Sequence, residues 1–149
     1  MKIVLQRVNS AEVWIEECIV SKISLGLLIF IGIESDEDQL NFKRIYHKII
    51  HLRIFEDMNK KMNLSIKDIQ GEILIVSQFT LLANLQKGHR PSFENAGSPQ
   101  KAKLVYESFL KGFESYYDSS KIKSGVFGGD MLIRLENSGP ATFFMEFST

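Results

Sequence analysis

The sequence predicts an α+β fold, an α/β domain spanning residues 1–149 with a mostly antiparallel or mixed, barrel-like sheet and two main helices. Three observations predict it. Stretches with strand patterning follow one another rather than alternating with helices, which disfavours a doubly wound sheet. Two segments, Leu40 to Leu52 and Ser98 to Phe113, carry apolar residues near helical spacing. The composition, 44% hydrophobic and 24% charged over 149 residues, suits one domain able to bury a core without metals or disulfides.

Taken in order, Ile3-Val4-Leu5 with Val8 suggests a first strand, and Glu12-Val13-Trp14-Ile15-Glu16 alternates as a half-buried strand should. Leu25 to Ile33 is continuously apolar and rich in branched residues, which suits a strand covered on both faces. Ser35-Asp36-Glu37-Asp38 reads as a helix start, with acidic groups near the positive end of the dipole. Phe42, Ile45, Tyr46, Ile49 and Ile50 then recur as the apolar face of the first helix. Arg53-Ile54-Phe55 leads into the polar turn Glu56 to Lys61, and Met62 to Ile66 reads as a short strand. Glu72 to Phe79 contains Ile-Leu-Ile-Val, a second strongly buried strand. Leu85 to Ser98 reads as a long surface loop. Ser98 as N-cap and Pro99 at the first position begin the second helix, with Val105, Phe109, Leu110 and Phe113 on its apolar face. After the turn Asp118-Ser119-Ser120 come three strand-like segments: Ile122 to Phe127, Met131 to Leu135 and Ala141 to Phe147.

The formal net charge is zero, so RNA contact would rest on a local patch rather than on an overall basic surface. The single cysteine, Cys18, excludes an internal disulfide and sits in an apolar stretch, which predicts a buried, inert thiol in a reducing compartment. Gln6 and Arg7 interrupt any signal-peptide core, and the apolar run Leu25 to Ile33 is too short to span a bilayer. A cytoplasmic protein without a membrane partner is expected.

Motifs for metal, nucleotide or esterase chemistry are missing. His47 and His51 stand four apart on a predicted helix, but no metalloprotease glutamate accompanies them, and two surface histidines are expected. His89 lies in a loop beside Arg90 and reads as a surface or RNA-facing residue. Gly125, Gly128 and Gly129 lack phosphate-loop spacing. No serine sits in a glycine-flanked elbow. Two segments remain unusual. In Ser77-Gln78-Phe79-Thr80-Leu81 a buried strand ends in hydroxyl and amide residues, where a rigid scaffold meets solvent. Asn137-Ser138-Gly139-Pro140-Ala141-Thr142 reads from the residues as a turn between two strands.

At these two segments the sequence resembles the D-aminoacyl-tRNA deacylase family, historically called D-tyrosyl-tRNA deacylase. The resemblance runs nearly end to end through ordered landmarks. They are Gln6-Arg7-Val8, Leu52-Arg53-Ile54-Phe55 with Lys61 to Ser65, Ser77 to Leu81, Gly88 to Phe93, Gly125-Val126-Phe127 with Asp130-Met131, and Asn137 to Pro140. Departures are small: Ala141 where valine is usual, Gly129 where alanine is common, and Trp14 for a smaller strand residue.

The resemblance implies hydrolysis of the ester of D-aminoacyl-tRNA by a homodimer with cross-subunit active sites, without metal or cofactor and without a DNA partner. Ser77, Gln78, Phe79 and Thr80 would form the catalytic pocket floor. Gly139 and Pro140 of the other subunit would enter that pocket with a cis peptide bond and bind substrate, with Arg7 holding their loop. Thr80 is either a nucleophile or a backbone donor assisting attack promoted by the ribose 2′-hydroxyl, and the motif's lack of a base favours the second. For tRNA contact, Lys87, His89 and Arg90 on one loop and Lys60 and Lys61 on another are candidates. Rival readings are a non-enzymatic RNA-binding module, an editing deacylase of different chiral preference, and a small-molecule esterase.

Overall fold

The computed structural model describes residues 1–34, 41–86 and 88–148. Its first strand, β1 (Lys2–Ile15), is a single run of 14 residues, where the sequence suggested two separate segments. It is the strand around which the sheet is built. One edge of β1 pairs with β3 (Gly26–Gly32) over residues 2–8 and with β2 (Cys18–Ile23) over residues 11–15, both antiparallel. Its other edge pairs along nearly its whole length with β8 (Leu132–Glu146), from Lys2↔Glu146 to Trp14↔Leu132. Beyond β3, β6 (Glu72–Ser77) and β7 (Ile122–Ser124) add in parallel. The sheet is therefore mixed, as the succession of strand patterns predicts. A separate hairpin joins β4 (Phe55–Glu56) to β5 (Met62–Leu64).

Two predicted features are corrected by this pairing. Cys18 opens β2, a strand absent from the sequence reading, and is exposed rather than buried. Its apolar neighbours Ile19 and Val20 are exposed with it, because this end of the ribbon lies beyond the core. Asn137 to Thr142 is not a free turn between two strands. It lies inside β8, whose register against β1 shifts between Gln6 and Val8 and again between Val8 and Ser10. The Gly139-Pro140 peptide within it is cis.

Alternation on β3 and β6 sends Leu27, Ile29, Ile31, Ile73 and Ile75 into the main core and Leu28, Leu74 and Val76 into a second cluster with Val8, Ala11, Val13 and Ile23. That explains the unbroken apolar runs, since each fully buried branched side chain contributes roughly 1.5–3 kcal/mol. Gly26 begins β3 opposite Glu72, and a Cβ there would stand 1.8 Å from the Glu72 carbonyl oxygen. Only glycine allows so close a strand approach.

The helices α1 (Phe42–His51) and α2 (Pro99–Phe113) pack into the main core. Asn41 caps α1, its side chain accepting from the Arg44 N–H at 3.3 Å. The predicted start at Ser35 to Asp38 lies outside the described residues. Ser98 and Pro99 open α2 as expected. Phe42 meets Phe109, and Tyr46 meets both Phe113 and Tyr116, so the helices run side by side in the same sense. No helix among the described residues is long and apolar enough to cross a membrane.

Candidate active site

The strand β6 ends at Ser77, opposite Ile31 of β3, and the Gln78 N–H continues the pairing by donating to the Ile31 carbonyl at 2.7 Å. The chain then tightens into a 3-10 turn, Phe79–Leu82. Its first N–H groups, those of Phe79 and Thr80, have no acceptor among the described residues. Such orphan donors are the normal consequence of starting a helical turn. The Gln78 side-chain amide donates to the Thr80 hydroxyl. No carboxylate, lysine or histidine is hydrogen-bonded to Thr80 among the described residues.

Ser77, Gln78 and Phe79 line a cavity of about 710 Å³, within the size range of small-molecule sites. The rest of its lining comes from Ile31 and Ile33 at the end of β3, Phe93 with Ala96 to Pro99, Ala102 of α2, Phe127 to Met131, and Ile133 of β8. Phe79, 60% exposed, meets Phe93 with ring centroids 5.1 Å apart. Among the described residues, Asp130 is the only carboxylate in this lining.

One carbonyl ties these walls to the sheet. Ile75 of β6 accepts from the Tyr106 hydroxyl of α2 at 2.8 Å and from the Gly125 N–H at 2.9 Å. Burial holds the Tyr106 phenol well above its ordinary pKa, so it donates as a neutral hydroxyl. The Gly97 N–H donates to Ile33 at 3.2 Å, fixing the approach to α2 against the end of β3.

The other sequence-predicted residues lie apart. Gly139 and Pro140 are exposed on β8, three strands from Ser77 across the order β8-β1-β3-β6. Neither lines the cavity. Arg7, only 4% exposed, stands beside their loop. Its guanidinium donates to the Ser138 carbonyl at 3.0 Å and to the Ile54 carbonyl at 2.6 Å, and faces Glu56 at 3.7 Å. The Asn137 side chain returns a bond to the Arg7 carbonyl at 3.1 Å. Arg7 and Ser138 share a smaller cavity of about 230 Å³ with Leu25, Phe55, Glu56 and Ile69.

Thus one chain brings together Ser77, Gln78, Phe79 and Thr80, and separately Arg7 with the Gly139-Pro140 loop. Ser92-Phe93, Phe127 and Asp130-Met131 belong to the landmarks of the resemblance, but nothing in the sequence assigns Phe93, Phe127, Asp130 or Met131 to a cavity wall. Their convergence is set by long-range contacts. The described residues contain no group of three side chains suited to a metal, and His47 and His51 stack on the exposed side of α1, ring centroids 4.2 Å apart.

A family model described as D-Tyr-tRNA(Tyr) deacylase matches residues 4–146. A D-aminoacyl-tRNA deacylase of Flavobacterium psychrophilum is 49% identical over 146 residues, 98% of this chain and 97% of the relative. One from Sulfurihydrogenibium sp. is 46% identical over 143 residues, 96% and 95% of the two chains. Among solved structures, the c-Myc DNA Unwinding Element Binding Protein superposes with a TM-score of 0.94 at 37% identity, covering 100% of both chains. A probable eukaryotic D-amino acid tRNA deacylase superposes with a TM-score of 0.81 at 21% identity over 97% of each chain, a likeness of fold.

Proposed function

This chain belongs to the D-Tyr-tRNA(Tyr) deacylase family and hydrolyses the ester bond of D-aminoacyl-tRNA; from that premise we propose that it is a cytoplasmic homodimer in which each pocket is completed by the Gly139-Pro140 loop of the other subunit. The observation that carries the mechanism is the pair of unpartnered N–H groups of Phe79, which lines the cavity, and Thr80, the next residue of the same turn. Fixed backbone dipoles aimed at a developing oxyanion lower the barrier by several kcal/mol without reorganisation. With no base bonded to Thr80, its hydroxyl is not activated as a nucleophile. Thr80 then serves as donor and wall, and the terminal ribose 2′-hydroxyl of the substrate assists the attacking water.

Two features support the dimer. Within one chain the Gly139-Pro140 loop is three strands from the pocket floor. The same strand, β8, also exposes Leu132, Leu135 and Phe144, apolar surface that a second subunit would cover. Carbonyl oxygens of the entering loop bind the substrate ammonium, and the loop occupies the direction an L side chain would take. Arg7 positions that loop through the Ser138 carbonyl. Selection is by exclusion, so D residues of many kinds are accepted, and glycine, which has no side chain to collide, is accepted too.

The test is deacylation of matched D- and L-tyrosyl-tRNA. Rapid loss of the D ester alone is expected. Equal rates, or none, would return the chain to an esterase or to a binding module.

A further inference from the structure

The zero net charge conceals a segregation. Residues 41–71 hold seven lysines and arginines against three carboxylates, a net charge of +4, leaving −4 on the other 118 residues. Lys43, Arg44, Lys48, Arg53, Lys60, Lys61 and Lys67 are all exposed. The three carboxylates are engaged locally. Asp57 accepts from the Asn63 side chain and from the N–H groups of Lys61 and Asn59, Asp68 accepts from Ser65, and Glu56 faces Arg7. Among the described residues no ion pair neutralises Lys43, Arg44, Lys48, Lys60, Lys61 or Lys67.

These cations form one surface. Arg44, His47, Lys48 and His51 follow the outward side of α1, and Arg53 joins it to the β4–β5 hairpin by donating to the Asn63 carbonyl at 2.7 Å and side chain at 2.9 Å. The surface lies at the end of the molecule away from its own pocket. The N-terminus of α2 borders the cavity, whereas Tyr117, just past its C-terminus, donates to Ile66 and Gly71 beside Lys67. Fifteen residues of α2 separate these ends by about 22 Å. Yet the same surface adjoins the Gly139-Pro140 loop, because Arg7 bonds both Ile54, at the root of the hairpin, and Ser138.

We infer that the α1 and β4–β5 surface of one subunit carries the phosphate backbone of the tRNA whose aminoacyl end sits in the pocket of the other. The inference rests on the dimer proposed above. The loop that enters the partner's pocket brings this basic surface to that pocket's mouth, and a polyanion is the ligand that unpaired cations on a continuous face attract.

The test compares Lys48→Glu/Lys61→Glu/Lys67→Glu with the unaltered protein on D-tyrosyl-tRNA and on the D-tyrosyl ester of adenosine, which has no acceptor stem. On tRNA, KM should rise by about tenfold or more and the slope of log KM against log salt should shrink by about one per cation removed. On the adenosine ester, kcat/KM should stay unchanged. Equal losses on both substrates, or no change on tRNA, would overturn the inference. Mixed dimers decide the subunit. One copy carries the three reversals with an open pocket, and the other carries the intact surface with its cavity filled by Ala96→Trp. Restored KM on tRNA places the surface across the dimer, and a KM as poor as that of the triple variant refutes that placement. Failure of the unaltered protein on D-tyrosyl-tRNA would instead sink the functional proposal itself.

Discussion

Replacing Arg7 tests how the Gly139-Pro140 loop is held. Arg7→Met keeps the aliphatic stem and removes every donor. The Ile54 carbonyl lies in a residue 3% exposed and loses a charged donor at 2.6 Å; at such a site the bond is worth about 3 kcal/mol. Ser138 is only half-buried, so water partly replaces its 3.0 Å bond, at a cost of about 1.5 kcal/mol. The Glu56 side chain is 51% exposed and 3.7 Å away, and contributes less than about 1 kcal/mol. The expected loss is therefore about 4.5–5.5 kcal/mol, read as a lower urea midpoint with an unchanged slope. Arg7→Lys, a charge without the planar fork, reaches one carbonyl and should lose about 2 kcal/mol, leaving a folded protein in which to measure deacylation. Its activity should fall with kcat more affected than KM, because the loop is misplaced rather than absent. Glu56→Gln should cost under about 1 kcal/mol. An Arg7→Met variant within about 1 kcal/mol of the unaltered protein would refute the reasoning, since two carbonyls would then have lost charged donors without consequence.

Other outcomes follow from the same geometry. Thr80→Val should keep D-tyrosyl-tRNA deacylation within about tenfold, and a fall of several orders of magnitude would restore the hydroxyl as nucleophile. Glycyl-tRNA should be hydrolysed at enzyme levels that clear D-tyrosyl-tRNA; complete resistance would refute selection by exclusion alone. Asp57, held low chiefly by the Asn63 side chain, Asp68, held low by the Ser65 hydroxyl, and Asp118, held low by the Ser120 hydroxyl, all titrate below the ordinary carboxylate range. Their contribution is complete above pH ~4 and disappears as pH falls through the depressed folded values. The urea midpoint should drop on that acid limb and drop less steeply in Asp57→Asn, whereas identical profiles would show that the turn does not matter. Gly26→Ala should lose more than about 3 kcal/mol or fail to accumulate as soluble protein, and a near-normal midpoint would contradict the 1.8 Å approach to Glu72.

What the sequence made legible was local. The runs through β3 and β6 are apolar on both faces because both faces are buried, so composition alone announced them. The caps Ser98 and Pro99 act within one turn and were equally readable. Asn137 to Thr142 misled for a physical reason: Gly-Pro carries a turn signal, but β8 passes through it because β1 supplies hydrogen-bonding partners on either side. The exposed strand β2 has no buried face for most of its length and so left no alternation to read. For the site, the polar end of β6 was visible, whereas the wall from Phe93, Pro99 and Met131 depends on where α2 and β7 land against Ile75. The cross-subunit role proposed for the Gly139-Pro140 loop could be approached only through the family resemblance.

The pairing of β1 with β8 has a consequence for synthesis. A nascent chain that has emerged as far as β7 can already lay β2 and β3 along one edge of β1, but the other edge waits for residues 132–146. Until they leave the ribosome, a long strand offers unmet N–H and C=O groups to any passing neighbour. The seam then closes between two strands far apart in sequence, the kind of contact that forms slowly. The Gly139-Pro140 peptide lies in that same late strand, so in the dimer proposed above a partner's pocket would wait for β8 to emerge and pair.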